Sequence, residues 1–241
     1  MKKTTKFWLI MAALLVLIGC VLFVGAMTRL NWDFHALSTT TYTTNIHEIR
    51  ETFDSISLDT DTADISFVLS NDGICKVVCF EADTAKHSVT VTEGTLTVQL
   101  DEKRTAQNAI GFVGINMDSP RIQISLPNAE YNALLIRENT GDIEIPKEFT
   151  FQSIDLSLTT GDVACSASAA GMLKIKASTG DIQVKNLSAG ALDLSVSTGT
   201  VAASGVSCGG DVTVGVSTGD ASLAGIRCKN VISSGRTGDI S

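Results

Sequence analysis

A chain of 241 residues with 44% apolar but only 5% aromatic residues is long enough for one domain, and its core must be mostly aliphatic. The formal charge is −8, and the first 27 residues carry three lysines and no acid, so the remainder is more acidic still. An acidic body repels phosphate groups, which excludes nucleic acid and anionic lipid headgroups as partners.

The first predicted element is a membrane helix. Residues 7–27 form an uncharged apolar run, which as a helix is roughly 31 Å long and matches a hydrocarbon core of about 30 Å. The lysines lie in residues 1–6, before this run. We therefore predict a single-pass cell-membrane anchor with a cytoplasmic basic tail and an extracytoplasmic remainder.

Two other interpretations of the same segment stay open. A signal peptide would be cleaved near the small residues around Val24 and Ala26, although its apolar core usually has about 7–15 residues. The residues Leu17 to Cys20 resemble the processing box of a bacterial lipoprotein, although the apolar run continues beyond Cys20. We carry the uncleaved anchor forward.

Residues 28–48 are predicted to be a spacer, and residues 49–241 a β-solenoid domain. The part from 49 to 135 is expected to form irregular coils, with a turn at Glu93-Gly94 and a loop over 101–120 that includes a partly buried segment at 110–113. Alternating or apolar runs predict strands at 53–58, 65–69, 74–80, 88–92, 95–100 and 121–127.

Residues 136–241 contain a phrase that returns every 19 or 20 residues. It consists of Ser or Thr in four copies, Asn139 in the first and Arg236 in the last, then Thr, Gly and, in five of six copies, Asp. Its Thr residues are Thr140, Thr160, Thr179, Thr198, Thr218 and Thr237. Its Gly and Asp residues are Gly141, Asp142, Gly161, Asp162, Gly180, Asp181, Gly199, Gly219, Asp220, Gly238 and Asp239. A fixed period of this size is typical of repeat architectures.

Apolar residues alternate on both sides of each phrase, as strands require. Two further registers hold residues that tolerate positive φ and so indicate corners; they are Gly171, Gly190 and Gly209, and Asn186, Gly205 and Gly225. We predict three short strands and three corners per coil, stacked about 4.8 Å apart as an all-β parallel solenoid. An antiparallel meander is the alternative, but it leaves one register unexplained.

The repeated Asp has a structural and a metal-binding interpretation. In the first, Gly makes the corner and Asp accepts backbone N–H groups in a turn. In the second, cations neutralise stacked carboxylates, which at about 5 Å repel each other by roughly 1 kcal/mol in water. Thr200 interrupts the row, and no Cys-x-x-Cys pair or His beyond His87 is present. We predict structural turns, with no metal and no other cofactor.

Cys208 and Cys228 occupy the same register in successive coils. Their Cα atoms are expected about 5 Å apart, within the range of a disulfide. An exported protein can oxidise such a pair. The alternative is that both are small buried residues in a tight corner, and the two interpretations stay open.

The repeat region favours recognition over catalysis. Polysaccharide-active enzymes use carboxylates in defined pairs, glycan grooves favour aromatic side chains, and the chain has no aromatic residue after Phe151. The exposed face of a solenoid more commonly binds a partner. We predict that the protein is not an enzyme, and a polysaccharide-active enzyme is the least favoured function.

Several of these features together resemble one bacterial family of unknown function. They are the N-terminal anchor, the sequence Asp-Thr-Ala-Asp-Ile at 61–65, the Ile-Ser-Leu-Pro segment ending at Pro127, and the Ser-Thr-Gly-Asp-Ile turns. The family is the one called "putative adhesin", and the resemblance covers residues 49–241. It implies a solenoid fold and a place in the cell envelope, and it implies no site residue.

Two functions follow from this resemblance. The first is a membrane-anchored surface module that binds a protein, a wall polymer or a cell. The alternative is a regulatory or scaffolding partner in a bacterial envelope-stress system. The last coil, at 238–241, has no evident cap, which suggests a truncated fragment or an end covered by a partner, and an open end invites end-to-end self-association.

Overall fold

The computed structural model describes residues 3–32, 41–101 and 119–241. Predictions for residues 1–2, 33–40 and 102–118, including the partly buried segment at 110–113, lie outside the described residues. One helix, α1 (Lys3–Arg29), contains the apolar run. From Thr5 to Arg29 it reaches a mean hydropathy of 2.9, so it is apolar and long enough to cross a membrane. Its anchoring and its orientation stay predictions.

The described residues also form nineteen strands. The N-terminal strands are β1 (Tyr42–Ile49), β2 (Ser55–Thr62), β3 (Asp64–Leu69), β4 (Cys75–Ala82), β5 (His87–Thr92), β6 (Thr95–Leu100) and β7 (Arg121–Leu126). The later strands are β8 (Glu130–Thr140), β9 (Ile143–Ile145), β10 (Thr150–Thr160), β11 (Val163–Cys165), β12 (Ser168–Thr179), β13 (Ile182–Lys185), β14 (Ser188–Thr198), β15 (Val201–Ser204), β16 (Ser207–Cys208), β17 (Val212–Thr218), β18 (Ala221–Ala224) and β19 (Val231–Thr237).

The strands form two facing sheets. Sheet A has the order β1-β4-β7-β3-β9-β11-β13-β15-β18, and sheet B has the order β19-β17-β14-β12-β10-β8-β2-β6-β5, with β16 beside β14. From β8 onward, a long strand of sheet B alternates with a short strand of sheet A, and each coil pairs in parallel with the next. The predicted parallel β-solenoid is confirmed, with about five turns.

The prediction of three strands per coil is wrong for most regular coils, which have two; among the described strands, β16 adds a third between β15 and β17, and there Gly209 lies in the predicted break. Gly171 and Gly190 were expected at corners, but they lie inside β12 and β14. A Cβ at Gly190 would lie 2.5 Å from the carbonyl oxygen of Ala170 in the preceding coil. Glycine here permits a close approach of two backbones, and the ladder shifts its register between Ala169 and Met172 without ending the strand.

The N-terminal strands stack out of chain order. The coil of β2 and β3 lies between β6 and β7 on one side and β8 and β9 on the other, in parallel pairing throughout. Strand β4 pairs antiparallel with β1 and β7, and β5 pairs antiparallel with β6. The predicted turn at Glu93-Gly94 joins β5 and β6, with φ of 50° and 75°, as a type I′ hairpin turn requires.

Strand β1 (Tyr42–Ile49) overlaps the predicted spacer, so regular structure begins earlier than expected. Its sequence contains only two aliphatic residues, Ile46 and Ile49, and Ile46 faces solvent. The inward side instead includes polar residues such as Asn45 opposite Cys79 of β4. This strand therefore lacks the apolar alternation that predicts a half-buried strand.

The core between the sheets is mostly aliphatic, as predicted. One column runs through Ile143, Val163, Ile182, Val201 and Ala221 in successive coils of sheet A. The buried aromatic rings lie at the start of the stack, where Phe67 contacts Phe149 and Tyr131 contacts Phe151 with centroid distances of 6.3 and 5.6 Å. The core therefore becomes thinner along the regular coils.

Candidate functional site

The repeated glycines are held in positive φ at the corner between sheets B and A. The φ values lie between 124° and 152° for Gly141, Gly161, Gly180, Gly199, Gly219 and Gly238. A Cβ at Gly180 would also lie 2.0 Å from the carbonyl oxygen of Gly161 in the preceding coil. Both the backbone angle and the neighbouring coil therefore demand glycine at this corner.

Four of the five Asp residues of the phrase, Asp142, Asp162, Asp181 and Asp220, accept a hydrogen bond from the following coil. The backbone N–H groups of Asp162, Asp181 and Thr200 donate to Oδ1 of the preceding Asp at 2.8, 2.7 and 2.8 Å. Equivalent bonds join Asp142 to Asp64 and Asp239 to Asp220. The prediction was of an acceptor within its own turn, whereas the donor of each bond belongs to the next coil.

Thr200 marks a break in this ladder. Its own N–H donates to Asp181, but it has no carboxylate to offer to the next coil. Among the described residues, the N–H of Asp220 makes no such bond. Elsewhere in the row, the hydrogen bonds to backbone N–H groups stabilise the stacked carboxylates, so their charge does not require a metal row.

The acidic residues of this row line a hollow on the outer side of sheet A. The hollow has a volume of about 470 Å³, and Asp64, Asp142, Glu144, Asp162 and Asp181 contribute to its lining. Acidic side chains on a solvated outer face need no ligand to explain them. We assign this surface a structural role.

Cys208 lies beside Cys228 in the next coil, because Ser207 pairs with Arg227 in parallel. Both thiols are free. The Sγ of Cys208 lies 3.5 Å from the carbonyl oxygens of Gly190 and Asp211, and both oxygens accept a hydrogen bond from the thiol. This register brings Cys208 and Cys228 close enough for a disulfide, and the disulfide itself stays a prediction.

The outer side of sheet B carries a polar surface that we call the hydroxyl face. One row across the strands runs Ser157, Lys176, Ser195, Gly215 and Ser234 in direct register. The neighbouring row on the same face, two residues further along each strand, holds Ser178, Ser197, Ser217 and Arg236. Together these residues line a shallow hollow of about 540 Å³.

Gly215 opens this hollow. A Cβ built there would meet only Ser234 Oγ at 3.5 Å and Ser195 Cβ at 3.8 Å, and the residue lies in ordinary strand conformation. Neither the backbone angle nor a neighbouring coil demands glycine at this position, in contrast to Gly180. A side chain at 215 would occupy the space between the two serines.

Two cations of the hydroxyl face have no acidic partner among the described residues. Lys176 has Ser157 and Ser195 as its register neighbours, and neither Lys176 nor Arg236 forms an ion pair there. The adjacent row differs, because Lys174 lies in register between Asp155 and Asp193. The face therefore presents positive charge that a ligand can use.

A buried carboxyl group lies at the junction between the irregular and regular coils. Glu138 occupies a column that continues as Leu158, Ala177 and Val196, and it is 4% exposed. Burial raises its pKa to about 8, although the N–H of Thr140 donates to Oε1 and favours the ionised form. Glu138 is therefore mostly protonated at neutral pH.

A second buried polar group lies at the N-terminal edge and was missed by sequence reasoning. Glu81 Oε2 accepts hydrogen bonds from Nδ1 and the backbone N–H of His87 at 2.8 and 2.7 Å, and Oε1 accepts one from Asn45 Nδ2 at 2.6 Å. Cys79 lies on the same face of β4. Burial, together with the charge of Glu81, raises the pKa of the Cys79 thiol to about 12.

The comparisons with solved structures give distant likenesses. A "putative adhesin" from Bacteroides fragilis is 18% identical, with 83% of this chain and 97% of that chain covered and a TM-score of 0.48. A "putative cell adhesion protein" from Clostridium sporogenes is 11% identical, with 84% and 99% covered and a TM-score of 0.36. A "putative lipid binding protein" from Parabacteroides distasonis is 12% identical, with 85% and 98% covered and a TM-score of 0.31.

No curated protein sequence matches this chain. The sequence model of a domain of unknown function, Toastrack DUF4097, matches residues 53–241. This range contains both the irregular coils and the repeated Thr-Gly-Asp corners, and it agrees with the resemblance found from the sequence. The chain therefore belongs to the Toastrack DUF4097 family.

Proposed function

We propose that this chain is a membrane-anchored, non-catalytic binding module that holds an extended protein or wall polymer on its hydroxyl face outside the cytoplasm. The observation that carries the proposal is the pair of unpaired cations, Lys176 and Arg236, around the hollow at Gly215. They lie on a chain with a net charge of −8, so this surface differs in charge from its surroundings.

The regularity of the face supports an extended ligand. Its hydroxyl groups repeat with the spacing of parallel strands, about 4.8 Å, and each can both donate and accept a hydrogen bond. The strands that carry them are held in register on both sides from β10 to β17. A rigid surface loses little conformational entropy when a ligand binds.

The lining of the face supports recognition over catalysis. Serine is a nucleophile in enzymes when a base and an orienting group accompany it. The residues that line the hydroxyl face include neither His nor a carboxylate. Their hydroxyls therefore act as hydrogen-bonding groups in this proposal.

The anchor follows from helix α1. Its apolar stretch meets the length of a membrane span, and Lys6 precedes most of it while Arg29 ends it. We infer that the helix stays uncleaved, with its N-terminus in the cytoplasm. The distribution of lysines before the span supports this orientation.

The test uses the full chain in proteoliposomes, incubated with wall material, matrix protein and whole cells. A double variant, Lys176→Glu with Arg236→Glu, should weaken binding about tenfold or more, which corresponds to 1.4 kcal/mol. Gly215→Thr should weaken it by filling the hollow. Lys185→Glu on the outer side of sheet A makes the same charge change as Lys176→Glu alone and, unlike that single variant, should leave binding unchanged.

Failure of the full chain to bind any of the three preparations would contradict the proposal. An equal loss in the Lys185→Glu variant would also contradict it, because the effect would then follow net charge and not the hydroxyl face. If the chain instead co-purifies with membrane proteins through residues 1–48, a scaffolding role in envelope stress becomes the better account.

A further inference from the structure

A set of metal-ligating side chains lies buried at the N-terminal edge, away from the hydroxyl face. Cys79 and Glu81 lie on β4, and His87 is the first residue of β5. One potential ligand atom of each lies within 4.8 Å of the other two. The residues are 0%, 1% and 8% exposed, respectively.

We propose that Cys79, Glu81 and His87 bind one divalent ion of the zinc class. Thiolate, imidazole and carboxylate groups are all ligands of zinc, with bond lengths of about 2.0–2.3 Å, so the ligand atoms of a tetrahedral site lie roughly 3.3–3.6 Å apart. The longest separation, up to 4.8 Å, would have to close by on the order of 1 Å to reach that geometry. A thiolate and an imidazole also favour zinc over magnesium or calcium.

The His87 ring supplies the second observation. Its Nδ1 is bonded to Glu81 Oε2, whereas its Nε2 is buried and has no hydrogen-bond partner among the described residues. Only 3% of the side chain is exposed. A buried polar atom of this kind normally pairs with a water molecule or an ion. Because Glu81 Oε2 lies on the opposite ring nitrogen, an ion bound by Nε2, Cys79 and Glu81 together requires the ring to turn about its Cβ–Cγ bond and Glu81 to exchange the Nδ1 hydrogen bond for the metal.

The charge of the cluster supports the same assignment. A carboxylate as deeply buried as Glu81 needs a compensating charge. A divalent cation bound by the Glu81 carboxylate and the Cys79 thiolate would make the site neutral. Binding would release the thiol proton, so uptake of the metal should strengthen as pH rises.

The position in the fold indicates a structural role for the ion. Strand β4 belongs to sheet A and β5 is the last strand of sheet B, and a turn with a hydrogen bond from Ala85 N–H to Ala82 O lies between them. An ion at Cys79, Glu81 and His87 would tie the two sheets together where the stack ends. Asn45 of β1 would hold the carboxylate from the other side.

Cys75 offers a matched control. It lies on the same strand and the same face as Cys79 and is also buried. Four residues of strand separate the two Cα atoms by roughly 13 Å. Among the described residues, Cys75 belongs to no group of potential metal ligands.

The experiment loads the reduced, metal-free full chain in detergent micelles with cobalt(II) or zinc(II). We expect one ion per chain by elemental analysis, tetrahedral cobalt bands with a thiolate-to-cobalt charge-transfer band, and a higher melting temperature with zinc. Cys79→Ser should abolish the charge-transfer band, and His87→Gln should abolish stoichiometric uptake. Asn45→Ala should weaken affinity about 10- to 100-fold, as the loss of an outer partner does. Cys75→Ser should leave all three readouts unchanged.

Wild-type protein that takes up no stoichiometric zinc, or that gives cobalt spectra without thiolate charge transfer, would overturn the proposal. These two results need no variant, so they decide the question even if Cys79→Ser fails to fold. Equal loss of the charge-transfer band in Cys75→Ser would overturn it as well. None of these outcomes bears on ligand binding at the hydroxyl face.

Discussion

The two parts of the solenoid are built by different rules. Residues 130–241 stack in chain order, with each coil in parallel register on the one before. In residues 42–126 the order is broken, and at this end of the stack each sheet finishes with an antiparallel strand, β1 in sheet A and β5 in sheet B. In a repeated sequence every coil pairs with its neighbours in the same way, so the pattern itself provides no end. A non-repeated sequence can place a different kind of strand at the end of the stack and so terminate it.

The buried polar groups follow the same division. Thr60, Glu81, His87 and Glu138 are the buried polar residues among the described ones, and all precede residue 139. The later coils bury aliphatic side chains, and their polar chemistry lies at corners and on outer faces. The irregular part therefore holds three of these four groups, whereas Glu138 lies in β8 at the start of the regular part, which otherwise presents its polar groups at the surface.

The largest effect should come from a corner glycine of the regular part. In Gly180→Ala, the new Cβ would lie 2.0 Å from the carbonyl oxygen of Gly161, at a φ of 130°. We expect a loss of about 4 kcal/mol or more in the free energy of unfolding, measured by chemical denaturation. Gly215→Ala is the control, because its Cβ meets no close atom, and it should change stability by less than about 0.5 kcal/mol. Equal losses of unfolding free energy in the two variants would show that the corner glycines do not determine how the coils stack.

The aromatic layer beside the irregular part gives the next effect. Phe151 is fully buried and packs on Tyr131. Phe151→Ala should cost about 3–5 kcal/mol of unfolding free energy, because it leaves a large cavity. Val214→Ala, in the thinner core of a later coil, should cost less. If Val214→Ala lost more unfolding free energy than Phe151→Ala, the aromatic layer would not be the more strongly packed part of the core.

The junction between the two parts should respond to pH through Glu138. Its pKa is raised from 4.5 to about 8 in the folded protein, so the fold favours the protonated form. This contribution to stability is complete below pH 4.5 and is lost as pH rises through about 8. The melting temperature of the wild type should fall over this interval more steeply than that of Glu138→Gln. Parallel curves for the two proteins would contradict the assignment.

The carboxylate ladder should give the smallest effect. In Asp162→Ala, the N–H of Asp181 loses its acceptor, and we expect a loss of about 1 kcal/mol by denaturant titration. Thr200→Ala serves as the control, since the Thr200 side chain accepts no such bond from Asp220, and it should change stability by less than about 0.5 kcal/mol. A stabilising effect of Asp162→Ala would indicate that charge repulsion outweighs the hydrogen bond.

The regular part was predictable because every coil repeats the same constraint. The spacing of Thr140 to Thr237, and the glycine beside each Thr, determine the stacking, and the structure follows it. The error about Gly171 and Gly190 arose because glycine serves two purposes. A positive φ marks a corner, but a close approach between backbones occurs within a strand, and residue type alone does not distinguish them.

The irregular part was less predictable because its contacts join residues far apart in sequence. Strand β2 pairs with both β6 and β8, and no local pattern specifies that order. The cluster of Cys79, Glu81 and His87 lacks a familiar metal-binding spacing. The one available signal was Glu81 itself, an acid on the inward side of β4, whose other inward positions are apolar. The hollow at Gly215 was equally hidden, since it results from register across several coils.

Amide hydrogen exchange of the full chain tests the central claim most directly, namely that a corner Asp accepts a hydrogen bond from a backbone N–H group of the coil after it. The N–H of Thr200 donates to Asp181, whereas that of Asp220 lacks the equivalent bond in the described structure. The neighbouring amides of Gly199 and Gly219 donate to Thr218 and Thr237 and report the opening of each coil. We predict that Thr200 exchanges nearly as slowly as Gly199, while Asp220 exchanges much faster than Gly219. Similar protection of Thr200 and Asp220 relative to these neighbours would contradict the account.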